Sequence, residues 1–575
     1  MFKSFNLKNI KSTKYMFFTG KGGVGKTSLS SSLAINLAES GKKVLLVSTD
    51  PASNLQDIFN TAIGNKPQAV KGIKNLYILN LDPEKAAAEY KESVLSMYRG
   101  LLPDSAIQSM DEQLSGSCTV EIAAFNEFAS LLTDEKTQAE FEHIIFDTAP
   151  TGHTLRMLEL PAAWNGYIEM TGGNASCLGQ LSGLTARKGV YENATNSLKD
   201  KAHTTIYLIT RPQKLAVAEA VRTSKELNEL GIKNQAVVFN YVLENSVKGD
   251  ELSESFYNSQ QAVMASLPQE FGNAEKYTSY LMPFNIVGIN NIRDLITGKE
   301  HTPEAIKNDS TAVLSKAAPF SRLIDDLYNS GKKVIFTMGK GGVGKSTIAC
   351  EIAKGLSAKG AKVHLTTTDP AAHLRQIIQG NANLRITEIN AKVEIERYQA
   401  EIIAEASKSM TQENIDYIKE DLMSPCTEEI AVFRAFADIV ASAGEEIVVI
   451  DTAPTGHTLL LLDATQNYAR EAARASRKTE TSITKLLPRL RDKSFTEMII
   501  VTLPEATPYF ESMRLRADLA RAEINGNTFV INNITAGIKT KDKILAQRGA
   551  AEIAWIKRIA DEIPNVYVAE HNLRI

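Results

Sequence analysis

The octapeptides GKGGVGKT, at residues 20–27, and GKGGVGKS, at residues 339–346, decide the fold of this 575-residue chain. Each matches G-x-x-x-x-G-K-[ST], follows a short apolar run and precedes a helical pattern, which is the context of a true phosphate-binding loop. The glycines let backbone N–H groups converge on phosphate oxygens, and the N-terminus of the following helix favours an anion. The sequence therefore predicts two nucleotide-binding P-loops.

Each loop supplies groups for the phosphates and for a magnesium ion. Lys26 and Lys345 should reach the β- and γ-phosphates of ATP. The hydroxyl after each lysine should bind Mg²⁺, and an aspartate that closes an apolar strand should orient the waters on that ion. These four Mg²⁺-binding residues are Thr27, Asp147, Ser346 and Asp451. Further phosphate contacts are expected from Gly20, Gly22, Gly23, Val24, Gly25 and Ser28, and from Gly339, Gly341, Gly342, Val343, Gly344 and Thr347.

The repeated loop is part of a longer duplication in which the order of the motifs is preserved. DTAPTGHTL at 147–155 recurs unchanged at 451–459, and CTVEIAAF at 118–125 is matched by CTEEIAVF at 426–433. Pro212, Glu219 and Arg222 pair in the same way with Pro504, Glu511 and Arg514. Because this period is far too long for a solenoid, it indicates a duplicated domain. We expect a first P-loop ATPase domain at 1–297, a linker at 298–331 and a second P-loop ATPase domain at 332–575, related by pseudo-two-fold symmetry as in a homodimer.

Short, continuous runs of Val, Ile, Leu and Phe alternate with helical patterns in each copy. Continuous rather than alternating hydrophobicity is typical of strands that are buried on both faces, so each half should be an α/β domain with a mostly parallel sheet flanked by helices. Ligands then bind at the carboxyl ends of the strands. The expected strands are 15–19, 44–49, 144–147, 205–210 and 236–240 in the first copy, and 334–338, 363–368, 447–451, 498–502 and 528–532 in the second.

Composition excludes several classes of protein. With 43% hydrophobic and 23% charged residues and a net charge of −3, the chain reads as a globular protein that binds no nucleic acid. No apolar run approaches the roughly 18 to 20 residues that cross a bilayer, and the first residues lack the apolar core of a secretory signal. We therefore expect a cytoplasmic protein. Its four cysteines are too sparse for a disulfide framework and are available as free thiols.

Three of those cysteines favour a site for a thiophilic ion. Cys118 and Cys426 occupy equivalent positions of the duplicate, and Cys177 lies in a glycine-rich stretch at 171–183. Three converging thiolates suit trivalent arsenic or antimony better than Mg²⁺ or Ca²⁺, and zinc also remains open. Cys350 fits an apolar helical pattern and is expected to be a core residue.

A second lysine, Lys21 or Lys340, follows the first glycine of each loop. In this the sequence resembles the deviant P-loop ATPases with a signature lysine, which include the nitrogenase iron protein, the septum-site ATPases and the arsenite-pump ATPases. The resemblance implies that Lys21 acts on the nucleotide of the second half and Lys340 on that of the first. It also implies that Asp50 and Asp369 position the attacking water, where a turn or helix-cap role is the alternative, and that Asn240 and Asn532 read the adenine.

Within that group the chain is similar to the arsenical-pump ATPases over nearly its whole length, through the tandem loops, both DTAPTGHTL segments and the cysteine before EIA in each half. The resemblance implies arsenite or antimonite bound at the interface of the halves, which stimulates ATP hydrolysis. It implies two partners, an integral membrane arsenite carrier and a small arsenic metallochaperone, and a peripheral position at the inner face of the plasma membrane. The implied metalloid ligands are Cys118, Cys177 and Cys426, assisted by His153, His457 and Ser424.

Two other functions share parts of this pattern. The ATPases that deliver tail-anchored membrane proteins carry the same motifs, but they are generally homodimers of single-copy chains with a Cys-x-x-Cys zinc site, and no Cys-x-x-Cys occurs here. A reductase that bridges an iron–sulfur cluster needs four thiolates, two from each half. Cys177 has no cysteine counterpart in the second copy.

Overall fold

The chain divides into two compact units. Residues 1–244, 257–282 and 286–301 form the first unit, and residues 245–256, 283–285 and 302–575 form the second. The structure is a computed structural model that describes residues 2–49, 55–100, 117–148, 188–272, 274–284, 286, 288–297, 313–368, 378–408, 425–452 and 482–570, with positions 103, 107–108, 110–111, 114, 374, 411–412, 415, 418–419 and 422.

The first unit is built on a nine-stranded sheet in the order β1-β9-β8-β7-β2-β6-β3-β5-β4. Every neighbouring pair is parallel except β4 and β5 at one edge. Its central strands are apolar runs buried along their whole length, as both-face burial requires. The strands are β1 (Lys3–Ser4), β2 (Tyr15–Thr19), β3 (Val44–Ser48), β4 (Gln68–Ala69), β5 (Leu76–Asn80), β6 (His143–Asp147), β7 (Thr204–Thr210), β8 (Gln235–Val242) and β9 (Glu275–Tyr280).

The second unit repeats this architecture with an eight-stranded sheet in the order β10-β17-β16-β15-β11-β14-β12-β13, and all of its paired strands are parallel. The strands are β10 (Ala318–Pro319), β11 (Val334–Met338), β12 (Val363–Thr367), β13 (Leu384–Glu388), β14 (Ile447–Asp451), β15 (Thr496–Thr502), β16 (Thr528–Ile534) and β17 (Asn565–Glu570).

Helices follow the strands along the chain, as parallel connections demand. They are α1 (Lys26–Glu39), α2 (Leu55–Phe59), α3 (Pro83–Tyr98), α4 (Ser117–Thr133), α5 (Glu135–Glu140), α6 (Lys188–Lys199), α7 (Lys214–Glu229), α8 (Glu251–Ala265), α9 (Gly288–Asp294), α10 (Phe320–Ser330), α11 (Lys345–Ala358), α12 (Ala391–Ala406), α13 (Pro425–Ser442), α14 (Ser482–Arg491), α15 (Ala506–Arg521) and α16 (Lys543–Glu562).

The predicted fold class is confirmed, and all ten expected strands are present. The expected linker contains β10 and α10, and Leu323, Ile324 and Leu327 of α10 are buried in a core cluster of the second unit. The strands that lead into the P-loops, β2 and β11, lie inside their sheets, each between two parallel neighbours. Each loop therefore leaves a rigid strand at the carboxyl edge, where ligands bind in such sheets.

Candidate nucleotide sites

Each P-loop enters its helix through a glycine in the left-handed region. Gly25 has φ +94° and caps α1, and Gly344 has φ +91° and caps α11. A Cβ on either one would overlap the side-chain amide of an asparagine, Asn240 or Asn532. At the start of the loops, a Cβ on Gly20 or Gly339 would collide with a backbone carbonyl of the neighbouring strand. The backbone can therefore hold this cradle only with glycine at these positions.

The lysine after each of these glycines begins the helix and lies inside its loop. Lys26 and Lys345 are only 8% and 6% exposed. Lys26 Nζ donates to the carbonyl oxygens of Gly20 at 3.1 Å and Lys21 at 3.4 Å, and Lys345 Nζ donates to that of Lys340 at 3.3 Å. A buried positive charge at a helix N-terminus, ringed by a glycine-rich backbone, fits an anionic phosphate chain.

The asparagines predicted to read adenine are fixed against the P-loops. Nδ2 of Asn240 donates to the carbonyl of Val24 at 2.9 Å, and Nδ2 of Asn532 donates to that of Val343, also at 2.9 Å. Both asparagines are buried, so these hydrogen bonds tie β8 and β16 to their loops. The adenine contact itself stays a prediction.

The residues expected to bind Mg²⁺ meet in the second unit. Ser346 Oγ donates to Asp451 Oδ2 at 2.6 Å, and hydroxyls of Thr337 and Thr367 lie 3.4 Å from the same carboxylate. Asp451 is fully buried at the end of β14. A hydroxyl and a carboxylate are oxygen ligands of the kind Mg²⁺ prefers, so the donor set fits this ion. In the first unit Asp147 is likewise buried at the end of β6, and Thr27 is the second residue of α1.

The residue after each of these aspartates makes a contact that the sequence did not reveal. Thr148 Oγ1 donates to the carbonyl of Phe18, and Thr452 Oγ1 to that of Thr337, both at 2.9 Å. Phe18 and Thr337 belong to the strands that lead into the P-loops. The recurrence of DTAPTGHTL without change was the available signal, because it places a threonine at the same position of both halves.

A buried side chain also holds the loop after the asparagine strand in each unit. Glu552 accepts from the backbone N–H groups of Thr535 at 2.7 Å and Ala536 at 2.8 Å. At the equivalent position, Gln260 accepts from the N–H of Leu243 and donates to the carbonyl of Tyr241, both at 2.9 Å. Burial raises the pKa of Glu552. Sequence reasoning missed this pair, because neither residue belongs to a motif.

The signature lysine of the second loop approaches a buried carboxylate of its own unit. Lys340 Nζ lies 3.8 Å from Oε1 of Glu511, to which Arg514 is also paired at 3.5 Å. The matching Glu219 is paired with Arg222 at 2.6 Å. The sequence shows that these glutamates and arginines recur at matching positions, and the structure shows that they form ion pairs.

Most of the expected metalloid ligands lie outside the described residues. Cys118 and Cys426 are the second residues of α4 and α13, and their side chains are not described. Cys350 is buried in α11, where burial raises the pKa of its thiol to about 12, as expected for a core residue. In the part of the chain that the structure describes, no group of three metal-binding side chains was found. Cys177, His153, His457, Ser424, Asp50 and Asp369 fall outside the described residues.

Comparison with known proteins agrees with this geometry. The model of the anion-transporting ATPase family matches residues 13–297, 332–487 and 461–574. The chain belongs to this family. The first matched range contains the P-loop at 20–27, and the second contains the P-loop at 339–346. The predicted ATP-hydrolysing activity is confirmed.

Relatives of this family member fall into two groups. The arsenical pump-driving ATPases of Escherichia coli and Acidiphilium multivorum are each 44% identical to it, and the matches cover 97% and 95% of this chain and 95% and 94% of theirs. An ATPase ASNA1 homologue of Paramecium tetraurelia is 35% identical, but that match covers 41% of this chain and 79% of the relative. Among the described residues of this ATPase, no helix has the length and apolarity needed to span a membrane.

Proposed function

We propose that this ATPase drives the efflux of arsenite or antimonite. The observation that carries the proposal is the similarity at 44% identity to arsenical pump-driving ATPases, which extends through both halves of the chain. The match to an ASNA1 relative covers only 41% of this chain. The alternative function, delivery of tail-anchored proteins, therefore gives no role to the second copy of the domain.

In this proposal each half binds one nucleotide at its P-loop. Lys26 and Lys345 hold the phosphate chain, because their buried ammonium groups lie inside the loops. Bound Mg²⁺ would neutralise charge on the phosphates, held by Ser346 with Asp451 in one half and by Thr27 with Asp147 in the other. Asp50 and Asp369 orient the attacking water, and Lys21 and Lys340 each reach the nucleotide of the opposite half.

The transported metalloid is bound by thiolates from both halves, chiefly Cys118 and Cys426. Each is the second residue of its helix, and the thiolate form of cysteine is the one that binds a soft ion. Cys177 completes the sulfur set, and the assisting ligands are His153, His457 and Ser424. Because thiols must lose protons to bind, metalloid affinity should fall at low pH.

The DTAPTGHTL segments couple metalloid binding to hydrolysis. Each begins at a Mg²⁺-binding aspartate and runs toward a metalloid-binding histidine six residues on. The second residue, Thr148 or Thr452, is hydrogen-bonded to the strand that leads into the P-loop. A shift at the metalloid end is thereby passed to the phosphate end, and coupling of this kind typically amounts to roughly 1–3 kcal/mol. By reciprocity, ATP should tighten metalloid binding.

Transport requires a membrane component, so the proposed partners are an integral arsenite carrier and a small metallochaperone that delivers the ion. The ATPase would act at the cytoplasmic face of the membrane when it is bound to its carrier.

The test is ATP hydrolysis by the purified full chain, measured against arsenite and antimonite concentration. We expect stimulation in the wild type, and loss of stimulation in the variants Cys118→Ser and Cys426→Ser. Cys350→Ala is the matched control, because that thiol is buried in the core and should leave the stimulation intact. A wild type that does not respond, or cysteine variants that respond fully, would overturn the proposal.

A further inference from the structure

An arginine and a tyrosine stack at the carboxyl edge of the first sheet, beside the first P-loop. Arg211 directly follows β7, and Tyr241 lies near the end of β8, the adjacent strand. The guanidinium carbon of Arg211 is 3.9 Å from the centroid of the Tyr241 ring. A Cβ on Gly25 would lie 3.4 Å from Cε2 of that ring, so the stack abuts the P-loop itself.

Tyr241 adopts a backbone conformation that a bulky residue avoids. Its φ is +63°, in the left-handed region, where the β-carbon of an ordinary residue crowds the backbone. The equivalent residue of the second copy, Asn533, has φ +53°, and asparagine is among the few residues that tolerate this region. Tyrosine is therefore the less stable choice for this turn, and an outlier of this kind points to a use for its ring.

Arg211 carries a polar atom without a hydrogen-bond partner. Its Nε is buried, and no acceptor for it was found in the described part of the chain. A buried donor is costly unless an acceptor satisfies it, and the ring face of Tyr241 cannot do so fully. An acceptor from a ligand at this edge of the sheet would satisfy it.

The second copy lacks both groups. Leu503 stands at the position of Arg211, in the matching segments LITRP and IVTLP, and Asn533 stands at that of Tyr241, in the matching segments VFNY and VINN. The asparagine that precedes the turn is present in both, and it bonds to the P-loop in the same way. The stack is therefore a property of the first site alone.

We propose that Arg211 and Tyr241 contact the nucleobase of the nucleotide held by the first P-loop, with Arg211 donating from Nε to the base and Tyr241 holding the guanidinium plane. The position agrees with this role, because the phosphates lie at Gly25 and Lys26 and the base extends from them along the same strand edge. Planar guanidinium groups both stack on aromatic rings and donate in fixed directions. This inference rests on the proposed assignment of the first loop as a nucleotide site.

The experiment compares ATP with tripolyphosphate, which has the phosphates but no base or ribose. Binding of each is measured on the full chain carrying Lys345→Ala, so that the first site is observed. For Arg211→Leu, which copies the second half, we expect ATP affinity to fall about tenfold while tripolyphosphate affinity changes less than twofold. Arg211→Lys should behave like Arg211→Leu, because lysine lacks the planar group. Lys214→Leu removes a nearby exposed positive charge and is the matched control, with both affinities unchanged.

Tyr241→Asn separates binding from folding. If the Tyr241 ring holds Arg211 against the nucleobase, ATP affinity falls in this variant. The free energy of unfolding in urea stays equal or rises, because asparagine tolerates the positive φ of this turn better than tyrosine. Equal losses for ATP and tripolyphosphate, or no loss for either, would overturn the inference. A parent chain that binds neither ligand would instead overturn the assignment of the first loop, which keeps the two failures distinguishable.

Discussion

The glycine that begins α11 offers a sharp test of how the second P-loop is built. Gly344 has φ +91°, and so does Gly360, which lies in a turn of the same unit with nothing within 4 Å of an added Cβ. Gly344→Ala and Gly360→Ala therefore impose the same backbone strain, about 1–2 kcal/mol for an L-residue in this region. The difference between the two variants isolates the space around Gly344.

That space is filled by the side chain of Asn532, which cannot move without breaking a hydrogen bond. The new Cβ at position 344 would overlap Nδ2 of Asn532, which is buried and donates to the carbonyl of Val343. Displacing it breaks the bond and leaves buried polar atoms unsatisfied, which costs about 1–3 kcal/mol. We expect Gly344→Ala to lower the free energy of unfolding by this amount beyond Gly360→Ala.

The assay is urea unfolding followed by the fluorescence of Trp555, which lies in α16 of the second unit, in a Trp164→Phe background. ATP binding to the second site is measured in parallel. Because the loop is deformed, ATP affinity should fall about tenfold or more in Gly344→Ala, corresponding to about 1.4 kcal/mol, and stay unchanged in Gly360→Ala. Equal effects of the two substitutions on stability and on ATP affinity would refute this account of the loop.

Substitutions at three further residues test single interactions. Ser346→Ala should weaken Mg²⁺-dependent ATP hydrolysis strongly, whereas Ser346→Thr should be tolerated because the first loop carries threonine; a Mg²⁺ titration of the rate distinguishes them. Glu552→Ala should lower the free energy of unfolding by about 3 kcal/mol, because the N–H groups of Thr535 and Ala536, the latter buried, lose their acceptor. Burial raises the pKa of Glu552, so its ionisation costs stability as pH rises above the unfolded value of 4.5, and Glu552→Gln should remove that loss in urea titrations at several pH values. Burial lowers the pKa of His364 from 6.5 to about 4, so the free energy of unfolding should fall by about 2 kcal/mol between pH 7 and pH 5. His364→Gln should abolish this fall, whereas the control His203→Gln, at an exposed histidine, should keep it. The attribution to His364 would be contradicted if the fall persisted in His364→Gln or disappeared in His203→Gln.

The sequence was sufficient to predict those strands whose composition is set by one physical cause, burial on both faces of the sheet. Strands such as VLLVS and TTIYLIT are buried on both faces, so they read as unbroken apolar runs. Strands nearer the sheet edges, such as EKYTSY and LRITE, carry charged or polar residues because they are only partly buried, and they were not anticipated. The meeting of Ser346 and Asp451 could be predicted, because Asp451 ends β14 and Ser346 follows the loop that leaves β11, the parallel neighbour of β14.

Other parts of the site depend on which strands lie side by side. The stack of Arg211 on Tyr241 joins the ends of β7 and β8, and it needs a positive φ that no local pattern announces. The hydrogen bonds from Asn240 to the carbonyl of Val24 and from the N–H of Thr535 to Glu552 connect segments that lie apart along the chain, and no spacing rule brings them together. These contacts arise from tertiary packing, which overrides local sequence preference.

The proposal that a metalloid controls ATP turnover can be tested most directly by one rate comparison. The purified full chain is given saturating MgATP, and phosphate release is measured with and without antimonite at neutral pH. The account predicts a rate that rises several-fold with antimonite and saturates, as expected when ligand binding favours an active state. A rate that is the same at every antimonite concentration would contradict it.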